Sequence, residues 1–253
     1  MLNEKRREVC GVPVDCLTMA DAVSMTEDWI EKGNHPLTIF AVNPEKVIRA
    51  QHDPELLATL RGAGLLIPDG IGVVLAARLL GLGHAERVPG SELMPKLCER
   101  AVSKGYTVFL FGASVAVNQQ AVEVLRERYP GIRIVGSQHG YVKDEDMPGV
   151  IACINVCKPD LLFVALGSPR QEIWMTRYLP QLTVKVCQGV GGTFDVIAGR
   201  VRRAPRLFRS LNFEWFYRLA SDPRRIRRQT ALPMFAYRVL KSRFMKQPSH
   251  LTE

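Results

Sequence analysis

Short apolar runs alternate along this chain with longer stretches in which apolar residues recur at helical spacing. Leu37–Val42, Thr107–Phe111, Ile132–Val135, Leu161–Leu166 and Val184–Cys187 have the length and β-branched content of buried strands. Between them, Pro44–Leu60, Ser91–Ser103, Val115–Tyr129, Asp144–Cys157 and Pro169–Tyr178 carry the periodicity of helices. Alternation at this spacing predicts an α/β fold: a mostly parallel sheet with helices on both faces. In such sheets ligands sit beyond the carboxyl ends of the strands. Chemistry is therefore expected in the segments just after those ends. They are Asn43-Pro44-Glu45, Pro68-Asp69-Gly70, Gly112-Ala113-Ser114, Gly167 to Glu172, and Gly189 to Gly192.

From about Arg203 the pattern changes. Ala204-Pro205 interrupts the chain and no further strand follows. Leu207–Leu219 and Arg224–Phe244 read as helices, with Pro223 and Pro233 as breaks or kinks. This divides the chain into an α/β core, residues 1–202, and a helical appendage, residues 203–253. Charge follows the same division. Residues 200–247 hold fourteen Lys/Arg against Glu214 and Asp222, a local balance of +12, whereas the whole chain is +9 and the remainder therefore −3. Aromatics interleave with these cations: Phe208, Phe213, Trp215, Phe216, Tyr217, Phe235, Tyr237 and Phe244. A basic, aromatic appendage on a near-neutral body points to an anionic membrane surface or an anionic ligand. A nucleic-acid binder would share the high isoelectric point, but no reading motif is present and the body is slightly acidic, so no nucleic-acid partner is expected.

The opening MLNEKRREV lacks an apolar core, so no secretory signal is read there. The best apolar run, Ile71 to Leu82, is too short to span a bilayer and contains Arg78. Cys10, Cys16, Cys98, Cys153, Cys157 and Cys187 are scattered, which reads as buried thiols of a reducing cytoplasm.

Gly189-Val190-Gly191-Gly192-Thr193-Phe194-Asp195 follows a strand and opens a helix. Glycines there allow backbone N–H groups to approach a phosphate, or simply make a tight turn. Phe194 stands where a dinucleotide fingerprint needs glycine, which argues against a nicotinamide-dependent oxidoreductase, and no Gly-Lys pair exists for a Walker loop. Ile67-Pro68-Asp69-Gly70 sets one carboxylate at a strand end. It is suited either to general-base work in a crevice or to ordinary turn chemistry. Asp144-Glu145-Asp146 resembles a metal-diphosphate motif, yet it starts a helix, where acids are favoured anyway. Gly81-Leu82-Gly83 has Glu86 in place of a last glycine. The five histidines show no paired-ligand spacing, and no metal site is expected.

Taken together these segments resemble the WecG/TagA/CpsF family of bacterial glycosyltransferases. The matching strings are Ala41 to Lys46, Pro68 to Gly72, Arg87 to Leu93, Gly167 to Glu172, Gly189 to Asp195, Arg203-Ala204-Pro205 and Glu214 to Leu219. Each is weak alone, but the ordered set from about residue 9 to 240 is specific. The resemblance implies a Rossmann-like core of the GT-E type with a membrane-associating C-terminal appendage. It implies a metal-independent, inverting enzyme without cofactor. That enzyme moves an N-acetylmannosamine-type sugar from UDP to N-acetylglucosamine on undecaprenyl diphosphate, at the cytoplasmic face of the membrane. Carried over by position, Asp69 matches the catalytic base, and Asn43, Arg87 and Gln171 match pocket residues. Tyr141 and Asp195 match positions near the nucleotide, whose phosphates the turn glycines Gly189, Gly191 and Gly192 are expected to approach. Arg218, Arg225 and Arg228 match arginines that complete the site at the membrane. TagA-like members have Thr-x-Asn where this chain has Ala41-Val42-Asn43. WecG-like members resemble it there, in Ile134 to Gln138 and in Gly140-Tyr141, which leans the expected donor toward UDP-N-acetylmannosaminuronic acid. Whether copies of the chain associate is left open.

Overall fold

A computed structural model describes residues 4–201, 205, 208, 217 and 230–245. Six strands form one parallel sheet in the order β4-β3-β8-β7-β5-β6. They are β3 (Leu37–Val42), β4 (Leu65–Pro68), β5 (Thr107–Gly112), β6 (Arg133–Gln138), β7 (Leu161–Ala165) and β8 (Val186–Gly189). The inner strands β7 and β8 are buried along their whole length; β7 accordingly reads as an unbroken apolar run, whereas β8 carries Gln188 and Gly189 at its end. Edge strand β6 alternates between exposed and half-buried positions.

Helices cover both faces. One face carries α2 (Pro44–Ala50), α3 (Pro54–Arg61), α4 (Ile71–Leu79), α7 (Met147–Cys157), α8 (Arg170–Tyr178) and α10 (Ala231–Met245) around Phe40, Phe109, Phe111 and Trp174. The other carries α1 (Met19–Lys32), α5 (Gly90–Lys104), α6 (Val115–Arg128) and α9 (Thr193–Ile197) around Ile39, Leu110, Phe163 and Phe194. The fold is Rossmann-like. Adjacent strands β3 and β8 send their following helices, α2 and α9, to opposite faces, which opens a crevice beyond their carboxyl ends.

Beyond β4 and α4, absent from the strands and helices read from the sequence, a hairpin and a helix near the start of the chain escaped the pattern. A hairpin of β1 (Arg6–Val9) and β2 (Val12–Asp15) lies beside β4. The Arg6 guanidinium is bidentate to Asp15 at 2.9 and 3.0 Å and also donates to the carbonyls of Ala63 and Gly64, each at 2.8 Å. Fully buried Asp15 in turn accepts from the Leu66 N–H at 2.7 Å, so the hairpin covers an otherwise open sheet edge. Helix α1 starts with a capping box between Thr18 and Asp21.

Two helices read as single are each broken. Pro44–Leu60 is α2 followed by α3. Pro54 cannot donate to the preceding turn, and the Asp53 side chain caps the new helix by accepting from the Leu56 N–H. Asp144–Cys157 is a solvent-facing 3-10 turn, Asp144–Asp146, followed by α7 with Pro148 in its first turn.

Of the C-terminal segment, α10 returns to the core and packs on α2 and α4. Its Phe235 and Val239 are buried, and Arg243 donates to the Leu79 carbonyl at 2.5 Å. Of the expected helix Leu207–Leu219 only Phe208 and Tyr217 are described, and residues 224–229 lie outside the described residues. Among the described residues no helix is long and apolar enough to cross a membrane.

Candidate active site

The carboxyl ends of β3 and β4 carry two turns packed against each other. Asn43 follows β3 and caps α2, its side-chain oxygen accepting from the Lys46 N–H at 2.8 Å, with Pro44 as the first helical residue. Asp69 follows β4, half-buried, and its backbone N–H donates to the Val42 carbonyl at 2.9 Å. A methyl group on Gly70 would lie 3.1 Å from Pro44 Cδ, and one on Gly72 only 2.8 Å from Pro44 Cγ. Glycine at these two positions is thus what lets the Asp69 turn lie against the Asn43 turn.

Arg87 arrives from the segment before α5. The Val88 N–H donates to the Pro68 carbonyl at 2.8 Å, which ties that segment to the end of β4. The Arg87 side chain is 18 % exposed and faces Glu92, in the first turn of α5, at 3.6 Å. Next along the sheet edge, Gln188 of β8 donates from Nε2 to the Gly90 carbonyl at 3.2 Å, joining the start of α5 to the glycine turn.

That turn is built around Gln171. Gly191 has φ +56°, a backbone conformation glycine adopts freely, and its N–H donates to Gln171 Oε1 at 2.9 Å. The Gln171 amide lies flat on Gly189, where any side-chain carbon would come within 2.7 Å of Nε2. The phosphate-cradle reading of the turn is therefore weakened at Gly191, whose donor is spent inside the protein. Gly192 caps α9, which runs for five residues only. Asp195 lies in α9, half-buried, and its backbone carbonyl holds the N–H groups of Arg200 and Val201 at 2.9 and 3.1 Å.

Beneath the turn lies a group that sequence reasoning quoted without a role. Lys46 is 5 % exposed and Glu172 fully buried, and Lys46 Nζ meets Glu172 Oε1 at 2.6 Å. Lys46 also donates to the Ala41 carbonyl at 2.5 Å, and Gln171 Nε2 donates to the same Glu172 oxygen at 3.1 Å. The signal was present in the pattern: a lysine between Pro44 and Val47, on the core side of a short helix, needs a buried partner.

Tyr141 lies apart, 78 % exposed beyond β6 at the other edge of the sheet. Five strand spacings separate that edge from β4, about 24 Å at ~4.8 Å per strand. With Gln138, His139, Val142, Asp146, Val150 and Cys153, among others, Tyr141 lines a cavity of about 330 Å³. The structure thus groups Asn43, Asp69 and Arg87 at one end of the carboxyl edge and Gln171, Gly189 and Gly191 in the middle, with Tyr141 at the far end. Arg218, Arg225 and Arg228 lie outside the described residues. Cys153 is exposed rather than buried, because it faces the cavity from α7. Among the described residues no three His, Cys, Asp or Glu side chains cluster as metal ligands would.

The model of the Glycosyl transferase WecG/TagA/CpsF family matches residues 7–249. A Bacillus spizizenii protein named N-acetylglucosaminyldiphosphoundecaprenol N-acetyl-beta-D-mannosaminyltransferase is 36% identical over 245 residues, 95% of each chain. A Staphylococcus aureus protein of the same name is 37% identical over 242 residues, 95% of this chain and 94% of the relative. Near-complete coverage on both sides means that core and C-terminal segment match together, and the chain belongs to the WecG/TagA/CpsF family of glycosyltransferases.

Proposed function

We propose that this enzyme transfers an N-acetylmannosamine-type sugar from UDP to N-acetylglucosaminyl-diphospho-undecaprenol, with Asp69 as general base. The observation that carries the assignment of the base is the packing of the Asp69 turn on the Asn43 turn. It holds one carboxylate at the carboxyl edge of the sheet, beside the segment that brings in Arg87. The relatives' names supply the sugar and the lipid acceptor.

In this reading the acceptor hydroxyl attacks the donor's anomeric carbon from the face opposite UDP. Its proton passes to Asp69 while the bond to the UDP oxygen breaks, and the configuration inverts. General-base assistance of this kind is worth about 10²–10⁴-fold. Negative charge grows on the departing diphosphate, and fixed cations stabilise it. Arg87 supplies one, and Arg218, Arg225 and Arg228 of the basic segment supply others. Asn43 lines the pocket, and Gln171, buried with its amide bonded to Gly191 and Glu172, shapes it from beneath the glycine turn. Tyr141 and Asp195 serve the nucleotide, with Tyr141 at the end of the edge farthest from the reacting carbon.

The lipid acceptor requires the enzyme to work at the cytoplasmic face of a membrane. The outer side of α10 supports this location: Tyr237 is 63 % and Phe244 69 % exposed, next to exposed Leu240, Arg238 and Lys241. Such a helix lies in the interface, its aromatics at headgroup depth and its cations on anionic lipid.

The test is a transfer assay on purified protein with a short-chain N-acetylglucosaminyl diphospholipid in vesicles and EDTA. UDP-N-acetylmannosamine and UDP-N-acetylmannosaminuronic acid are run side by side. Disaccharide-lipid from one of them, unaffected by EDTA, is the expected result. The donor used also tells what Ala41 does in place of a hydroxyl-bearing residue. No product from either donor overturns the substrate assignment.

A further inference from the structure

We propose that the buried Lys46–Glu172 ion pair is a positioning device: it fixes which way the Gln171 amide points, and through Gln171 it holds the glycine turn in its working shape. This role rests on the reading of Gln171 as a site residue for sugar transfer.

The geometry is a relay of four groups. Lys46 Nζ bonds Glu172 Oε1 at 2.6 Å, and Gln171 Nε2 bonds the same oxygen at 3.1 Å. On its other side Gln171 accepts the Gly191 N–H at 2.9 Å. A primary amide has two nearly isosteric orientations, one of which puts its NH₂ where its oxygen should be. Here both neighbours vote for the same one. Glu172 Oε1 accepts from the donor-only Lys46 ammonium, so the NH₂ must face it. The Gly191 N–H only donates, so the oxygen must face Gly191. Glu172 is held in place because Lys46, itself anchored on the Ala41 carbonyl at 2.5 Å, pairs with it out of contact with water. The Lys46 backbone N–H meanwhile holds the Asn43 side chain at 2.8 Å. One residue thus braces both the β3 turn and the glycine turn.

A purely stabilising role explains this poorly. Apolar residues of similar volume replace buried ion pairs with little or no loss of stability. An apolar pair, however, gives Gln171 nothing to orient against. Glu172 Oε2 is buried with no hydrogen-bond partner, so the carboxylate is present at a cost in solvation and only one of its oxygens is used. That arrangement fits a directional role better than a packing role.

Two variants test it, Glu172→Met, which removes the acceptor oxygen, and the apolar double replacement Lys46→Met/Glu172→Leu. Each is first checked for a cooperative thermal transition. The substrate-independent readout is amide hydrogen exchange at Gly191, followed by NMR. It is expected to quicken roughly tenfold or more in a folded variant, since the bond to Gln171 Oε1 is lost whenever the amide flips. The second readout is a double-mutant cycle. Glu172→Met is expected to lower kcat/KM roughly tenfold in the wild-type background and less than about twofold when Gln171 is already alanine. Gly191 exchange within about twofold of wild type, or losses that add fully across the cycle, would overturn the proposal. So would failure of both variants to fold, because a positioning role needs a fold that outlives the pair. If the unaltered enzyme does not turn over mannosamine donors, the substrate reading falls, while the exchange result still decides this one.

Discussion

Replacing Phe235 by alanine is expected to release α10 from the body of the protein while leaving the sheet folded. Phe235 and Val239 are the buried side chains of α10, and the ring of Phe235 lies 3.7 Å from where a Gly72 methyl would be. Burying them contributes about 1.5–3 kcal/mol for the phenylalanine and about 1.5 kcal/mol for the valine. The bond from Arg243 to the Leu79 carbonyl adds about 1 kcal/mol. Against this stands the ordering of a helix of 15 residues, a length that is marginal in water by itself. The net docking free energy is therefore only a few kcal/mol. Truncating a buried phenylalanine costs about 3–5 kcal/mol if the structure stays closed around the hole. Undocking is the cheaper response, and the loss felt by the sheet is capped at the docking energy. The assay is hydrogen exchange with a parallel trypsin digest. The α10 amides should exchange early and cleavage should appear at Arg238, Lys241 and Arg243, while β3 amides stay protected. The thermal midpoint should fall by no more than about 8 °C, which is about 2 kcal/mol at about 2–4 °C per kcal/mol for a chain of this size. A single transition about 10 °C lower, with α10 amides as protected as those of β3, would refute the reasoning and make α10 an integral layer of the core.

Asp69→Asn is expected to cut turnover by about 10²–10⁴-fold with the thermal midpoint little changed; turnover within tenfold of wild type would remove Asp69 as the base. Thiol reactivity should separate the cysteines. Burial pushes Cys98 up to about 12 and Cys187 higher still, so at pH 8 neither should alkylate until the protein unfolds, whereas exposed Cys153 should react first. Mass spectrometry of briefly labelled protein checks this, and early labelling of Cys98 would contradict its place in the core.

The sheet was legible because its inner strands are buried on both sides, and such strands announce themselves as apolar runs. Where side chains alternate, or where an element's burial depends on one distant contact, the pattern is silent. The β1–β2 hairpin is held by Arg6 reaching across to Asp15, Ala63 and Gly64, a pairing that no local periodicity encodes. Helix α1 buries only a narrow stripe, Ala22, Thr26 and Ile30, too sparse to stand out. The split at Asp53-Pro54 was readable in principle, since proline after a capping residue restarts a helix, but the apolar spacing runs on across it. At the candidate site, Asp69, Asn43 and Gln171 stood in segments just after strand ends, whereas Arg87 was marked only by the family resemblance. Lys46 and Glu172 did not, because a buried ion pair between residues 126 apart looks in sequence like two surface charges.

The same geometry changes where the countercharge for a leaving diphosphate can come from. The sequence offered three sources: the glycine turn with its helix N-terminus, Arg87, and the basic segment. The turn is the weakest of them. Its Gly191 N–H is bound to Gln171, and a helix of five residues presents little of the field that a long one does. Arg87 is in place but faces Glu92, so the pair's net charge near the site is close to zero. The body of the protein sums to −3. In the proposed reaction, the departing diphosphate would therefore draw its positive charge from the segment of +12 at residues 200–247. On that proposal the cations that attract the enzyme to an anionic membrane are also the cations its chemistry requires, and binding the surface and completing the site would be one electrostatic event.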